Sequence, residues 1–157
     1  MGHYCFNTPI GTVVCEISDQ RVISKCYPIV EVNGKALARS REQHPELAKA
    51  LSSLLPCPIG YRVLGGKVPT FAPHFWDELA QVPFGTKLTY GEFAQKLGLP
   101  KSYARVVGNV LGSNESFILL PCHRVVPANG KIGGFRWGTE VKKKLLEYES
   151  NTQKKNL

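Results

Sequence analysis

Leu120-Pro121-Cys122-His123-Arg124-Val125-Val126 sets a cysteine, a histidine and an arginine side by side at the end of a short apolar run. A cysteine is a strong nucleophile only as thiolate, which a nearby cation, imidazole or helix N-terminus favours. Cys122 has two such neighbours in sequence. The preceding Phe117-Ile118-Leu119-Leu120 predicts a buried strand, and Pro121, lacking an N–H, ends its pairing so that the thiol sits at the strand's mouth. A single cysteine is otherwise read as a small buried hydrophobe. Here the flanking residues favour chemistry.

Upstream, Thr89 and Glu92 have capping-box spacing and predict a helix from Tyr90 to Leu97, with Gly98 and Pro100 as its stop. Ser102 is placed to cap a second helix, Tyr103 to Leu111. The pair reads as a helix-turn-helix. Ala104, Arg105 and Gly108 put one long cation among small residues, a composition that lets a backbone approach a groove. Asn114 falls in the turn Gly112-Ser113-Asn114. After Val126 come a Pro127–Lys131 turn and Gly133-Gly134-Phe135-Arg136-Trp137-Gly138, and Thr139 is expected to cap a last helix to Ser150, with 151–157 as a frayed polar tail.

Pro121-Cys122-His123-Arg124-Val125 resembles the active-site signature of the O6-alkylguanine-DNA alkyltransferases, and the likeness runs in order from about Phe71 to Glu149. It includes Ala104-Arg105-Val106-Val107-Gly108, Asn114 eight residues before the cysteine, the glycine-rich loop, and the ending Leu145-Leu146-Glu147-Tyr148-Glu149. The resemblance implies direct-reversal repair. One alkyl group passes irreversibly from O6-alkylguanine, and from O4-alkylthymine, to Cys122. His123 would act as base through a water, oriented by Glu149, with Asn114 tying the helix-turn-helix to the cysteine turn and the Tyr90 phenol donating to the extruded base. It also implies minor-groove binding by Tyr103, Ala104, Arg105 and Gly108, with Thr89, Ser102 and Arg124 beside them. Arg105 would fill the gap left in the stack. Arg124 suits bracing of the turn as well as it suits DNA. The pocket would be lined by Tyr90, Phe117, Val125, Phe135, Arg136 and Trp137.

The rest of the chain bounds this reading. Its 157 residues suffice for one domain or two small ones, and 43% apolar with 20% charged residues marks it as globular. Twenty Lys and Arg against twelve Asp and Glu give +8, spread over both halves, which suits a polyanion without identifying one. No apolar run approaches the roughly 18 residues of a membrane span. The start of the chain lacks a basic stretch followed by an apolar one, so an intracellular protein is expected. Five cysteines form no C-x-x-C pair and read as reduced thiols. Cys5, Cys15 and Cys26 match no common zinc spacing, nor the zinc site of some family members, so neither metal nor cofactor is expected.

The fold expected is α+β. Residues 1–68 form a supporting domain: strands over Tyr4–Asn7, Thr12–Ile17 and Val22–Tyr27, a loop through Asn33-Gly34, a helix from Pro45 to Leu54, then a strand and linker within Ile59–Pro69. Residues 69–157 form a mostly helical domain, opening with a helix from Pro73 to Gln81, that holds the helix-turn-helix and Cys122. Its expected partner is double-stranded DNA carrying alkylated guanine, bound by a monomer. Three alternatives stay open: a lesion-binding relative that does not react, whose family members carry tryptophan at the cysteine position; a helix-turn-helix regulator bound in the major groove; and a cysteine hydrolase. Phe117 and Trp137 stand where family members often have smaller residues. Their bulk predicts slower reaction with benzylated than with methylated guanine, and equal rates in a direct kinetic comparison would contradict that.

Overall fold

A computed structural model describes residues 2–29, 33–129 and 136–155, with backbone alone for 153–155. The chain divides into two compact units, residues 1–66 with 115–120, and residues 67–114 with 121–157. A single cut after residue 68 therefore misses an excursion. The segment 115–120 belongs to the first unit because its backbone pairs there: Cys26 N donates to Glu115 O at 2.8 Å, Phe117 N to Cys26 O at 3.1 Å, and Glu115 N to Gly65 O at 2.9 Å.

In the first unit β1 (Gly2–Thr8), β2 (Gly11–Ile17) and β3 (Val22–Ile29) form antiparallel neighbours, and β4 (Arg62–Val63) adds in parallel to β3. Thr8 Oγ1 closes the first hairpin on Gly11 O at 2.7 Å, and Gly11 adopts φ 129°, open only to glycine at low cost. Helices α1 (Gly34–Gln43) and α2 (Pro45–Ser52) pack on β1, where Cys5 N donates to Ser40 Oγ at 2.9 Å. Phe6, Val13, Ile17, Ile23, Leu47 and Leu51 are the buried core. α1 occupies what the sequence predicted as a loop. Asn33 caps it, its side chain accepting from Lys35 N and Ala36 N, but only Ser40 on it is buried, so there is no apolar stripe to read.

The predicted strand at Phe117–Leu120 is not a strand. Apart from the single Cys26–Ser116 bridge, the segment is a turn: Leu119 N donates to Phe117 O at 2.8 Å, Leu120 N to Ser116 O at 3.0 Å, and Ile118 takes φ 71°. The four residues are all buried, which explains the misreading, since a short apolar run carries burial but not periodicity.

The second unit starts with α3 (Phe75–Ala80), whose Phe75, Trp76 and Leu79 are buried. The two helices that the sequence predicted follow as α4 (Tyr90–Lys96) and α5 (Ala104–Leu111). Thr89 and Glu92 form the expected capping box, and Gly98 follows with φ 80°. Ser102 does not cap α5. It lies within a turn of 3-10 helix, Lys101–Tyr103, and neither that turn nor α5 has a side-chain cap. Two-residue strands β5 (Leu88–Thr89) and β6 (Val125–Val126) pair in parallel, joining the start of α4 to the cysteine turn. The last helix, α6 (Thr139–Lys155), runs past Ser150 into the expected tail. Residues 156–157 lie outside the described residues.

Phe93 on α4 is fully buried with its ring edge-on to Phe75 at 5.3 Å. Phe93→Ala is expected to cost about 3–5 kcal/mol in urea unfolding, against about 1 kcal/mol for Thr89→Ala at the cap. The reverse order would show that capping, not packing, holds the helix pair.

Candidate active site

Cys122, His123 and Arg124 form one turn of 3-10 helix between Pro121 and β6. The turn is short enough to send the three side chains in different directions. Cys122 faces a cleft of about 710 Å³ that also touches Tyr90, Arg105, Gly108, Val125, Arg136 and Lys142. His123 and Arg124 turn inward to α6.

Glu149 on α6 gathers them. Its carboxylate accepts from His123 Nε2 at 2.6 Å, from Arg124 Nε at 2.9 and 3.1 Å and Nη2 at 2.9 Å, and from Gly85 N at 3.1 Å. Arg124 Nη1 also donates to Val82 O at 2.7 Å. Burial raises the Glu149 carboxyl, but the bonds and charges of His123 and Arg124 outweigh it and hold it at about 2. An ionised carboxylate only accepts, so Nε2 carries the imidazole proton and Nδ1 keeps the lone pair. Burial lowers the His123 pKa, with Glu149 pulling the other way. His123 Nδ1 is buried and makes no hydrogen bond among the described residues.

Asn114 and Cys122 stand at the two ends of the 115–120 excursion, and Asn114 Nδ2 donates to Cys122 Sγ at 3.2 Å. Burial pushes the thiol up to about 11, against the opposing pull of the Asn114 bond and of Lys142. The resting sulfur is therefore protonated at pH 7. Tyr90 is also pushed up, by burial and by Cys122, and stays a neutral phenol able to donate. β5 places it there, one residue past the cap of α4. Its ring packs close to Gly108 of α5, where a Cβ would lie 3.4 Å from Tyr90 Cε2, an ordinary contact.

Lys142 escaped the sequence reading. It lies seven residues before Glu149, two helical turns, so both project from the same face of α6. It is 1% exposed, donates to Val125 O at 3.1 Å, and its Nζ is 5.9 Å from the Tyr90 ring centroid. The signal available was a lysine at helical spacing from a glutamate, which on most helices means a solvated face. Burial lowers its pKa, while Cys122 pulls it back up.

Three expected site residues are placed elsewhere. Phe117 is fully buried in the first unit and is not among the residues lining the cleft. Arg124 is buried with its guanidinium committed to Glu149 and Val82 O, which removes it from any DNA-contacting surface. Trp137 does not line the cleft either; its ring lies under Arg136, 5.7 Å from the guanidinium carbon. Phe135 and the glycines at 130, 133 and 134 lie outside the described residues. On α5 and the turn before it, Ser102, Tyr103 and Arg105 are exposed and Ala104 is half-buried; Thr89 is half-buried as well. Val106 and Asn109 share this exposed face and were not singled out from sequence.

Residues 70–151 match the family model described as 6-O-methylguanine DNA methyltransferase, DNA binding domain. The chain is 49% identical over 74 residues to the methylated-DNA–protein-cysteine methyltransferase of Candida glabrata, covering 47% of this chain and 35% of that one. It is 38% identical over 102 residues to the Saccharomyces cerevisiae protein of the same name, covering 63% and 53%. These matches thus span about a third to a half of the curated relatives' length. The O6-methylguanine methyltransferase structure of Mycobacterium tuberculosis superposes with TM-score 0.69 at 25% identity, over 95% of this chain and 92% of that one. The OGT of the same organism in complex with DNA gives 0.68 at 25% identity, over 95% and 93%.

The Glu149 cluster makes stability depend on acid. Its carboxyl is lowered to about 2 in the folded chain, so its contribution is full above the ordinary carboxyl range, near 4.3, and is lost as pH falls toward 2. That contribution is about 3 kcal/mol. His123, lowered as well, adds loss in the same direction as pH drops through the imidazole range. Urea unfolding across pH 2–7 is expected to show this decline in the native chain, and a much shallower one in Glu149→Gln. Parallel curves would contradict the assignment.

Proposed function

Because the chain belongs to the 6-O-methylguanine DNA methyltransferase family by its match over residues 70–151, we propose that it repairs alkylated DNA. The alkyl group of O6-alkylguanine in a duplex passes to Cys122, once per molecule. The observation that carries this is the thiol of Cys122 in an open cleft, held by Asn114, beside a histidine whose tautomer Glu149 fixes. Exposed Arg105 lies on the same cleft.

The chemistry follows from these groups. The thiol at rest is protonated, so a base must take its proton as the bond to carbon forms. His123 Nδ1 has the lone pair for that, relayed by a water, since adjacent side chains of one tight turn point apart. The sulfur attacks the alkyl carbon, an S–C bond forms, and the C–O6 bond breaks with its electron pair staying on the purine. The Tyr90 phenol donates to that purine as charge builds, and the proton lost by the thiol is made up on the base, leaving guanine. The charge of Lys142 favours the anionic form of the sulfur. A thioether is a poor leaving group, which makes the transfer irreversible. No metal or cofactor enters the reaction.

Access to O6 requires the nucleotide to leave the stack. Arg105 on α5 fills the gap, and the small residues Ala104 and Gly108 allow the helix into the minor groove. Every group invoked lies in one unit of one chain, so a monomer suffices. The reaction runs wherever the cell keeps its DNA, which agrees with free cysteines throughout. A sequence-specific regulator does not account for a polar network converging on a thiol. A hydrolase needs direct proton transfer between Cys122 and His123, which point apart.

Nucleoside chromatography after incubation with an O6-methylguanine duplex tests this. Guanine is expected to plateau at one equivalent per protein molecule, with none for Cys122→Ala. Arg105→Ala is expected to slow repair by roughly tenfold or more, as unstacking costs a few kcal/mol and loses its compensating side chain. Repeated turnover, or repair by Cys122→Ala, would contradict the reading.

A further inference from the structure

Arg136 lies at the near end of the glycine-rich loop, two residues before Gly138 and the start of α6. Its Nη1 donates to Ser113 O at 3.5 Å and to Asn114 O at 3.4 Å, and its guanidinium carbon is 5.7 Å from the Trp137 ring centroid. Those two carbonyls directly follow Gly112, the C-cap of α5, where the helix dipole is negative and a cation is favoured. The guanidinium fork and its aromatic support hold geometry in a way that an ammonium cannot. Asn114 is the residue whose side chain holds the Cys122 sulfur. One guanidinium thus touches the backbone of the residue that aims the thiol, while also lining the cleft that the thiol faces.

We infer that Arg136, stacked on Trp137, is a positioning residue that braces the Ser113–Asn114 turn and, through Asn114, helps to aim the Cys122 thiol. This rests on the alkyl-transfer reading above and adds to it. It also gives Trp137 a different part from the one its size suggests: the indole supports the guanidinium rather than narrowing the cleft. The individual bonds are long, so each is weak. Their value lies in restricting the turn, because a small misplacement of a nucleophile costs more in rate than the bonds supply in stability.

Single-turnover methyl transfer from an O6-methylguanine duplex, over a range of DNA concentrations, separates the maximal rate from the half-saturating concentration. Arg136→Ala is expected to lower the maximal rate by roughly three- to tenfold, with half-saturation little changed, and Arg136→Lys to restore only part of it. Asn114→Ala should slow transfer further, and adding Arg136→Ala to it should cost nothing more, because both act through one contact. Three results would overturn the inference. One is a change confined to half-saturation and sensitive to salt, as for a phosphate contact. Another is full additivity with Asn114→Ala. The third is an unchanged maximal rate in Arg136→Ala. No transfer by the native chain would instead sink the functional reading, and this inference with it.

Discussion

The carboxylate of Glu149 is the constraint on which the site depends. It is buried, ionised, and takes donors from His123, Arg124 and Gly85. Breaking such a cluster by removing one partner leaves a charge in low dielectric, which costs far more than the cluster contributes. That asymmetry fixes three things together: the direction in which the cysteine turn opens, the tautomer of His123, and the seat of α6 beneath it. Cys122 faces the cleft because its two neighbours in sequence are held from behind.

From the cleft side, two further groups act on the thiol. Asn114 donates to it from the end of α5, and the charge of Lys142, on the same face of α6 that carries Glu149, opposes the effect of its burial. Burial alone would leave the sulfur inert, and these groups oppose burial without overcoming it. The proposed reaction accordingly pairs proton removal with bond formation rather than starting from a stable thiolate. The helix that bears the exposed arginine ends in the turn that holds the sulfur, so the proposed DNA contact and the alignment of the nucleophile would share one short stretch of chain, residues 104–114.

Much of this was legible in the sequence where the signal was local. The Thr89–Glu92 box, the glycine and proline after α4, and the hairpin at Thr8–Gly11 each specify their structure through neighbouring residues. The cysteine turn and its partners Asn114 and Glu149 were legible through resemblance, because their meeting depends on contacts far apart in sequence. The failures have physical reasons. α1 is polar almost all round and shows no stripe. Phe117–Leu120 is buried yet bent, and a run of four apolar residues cannot reveal a positive φ at Ile118. Phe117 was assigned to the pocket through the resemblance, but the chain leaves the second unit between Asn114 and Pro121 and takes Phe117 with it. Arg124 was read both as a brace of the turn and as a DNA contact, and its bonds to the Glu149 carboxylate and to Val82 O bear out the brace. Lys142 looked like one more surface lysine.

The central claim is that Cys122 itself becomes the alkyl carrier. Mass mapping of the peptides of the protein, after incubation with a duplex containing a single O6-methylguanine, tests it most directly. The account requires one methyl group in place of the thiol proton on the peptide bearing Cys122, persisting with time, and none on the peptides bearing Cys5, Cys15, Cys26 or Cys57. A methyl on another cysteine, or DNA restored with every cysteine unmodified, would contradict it.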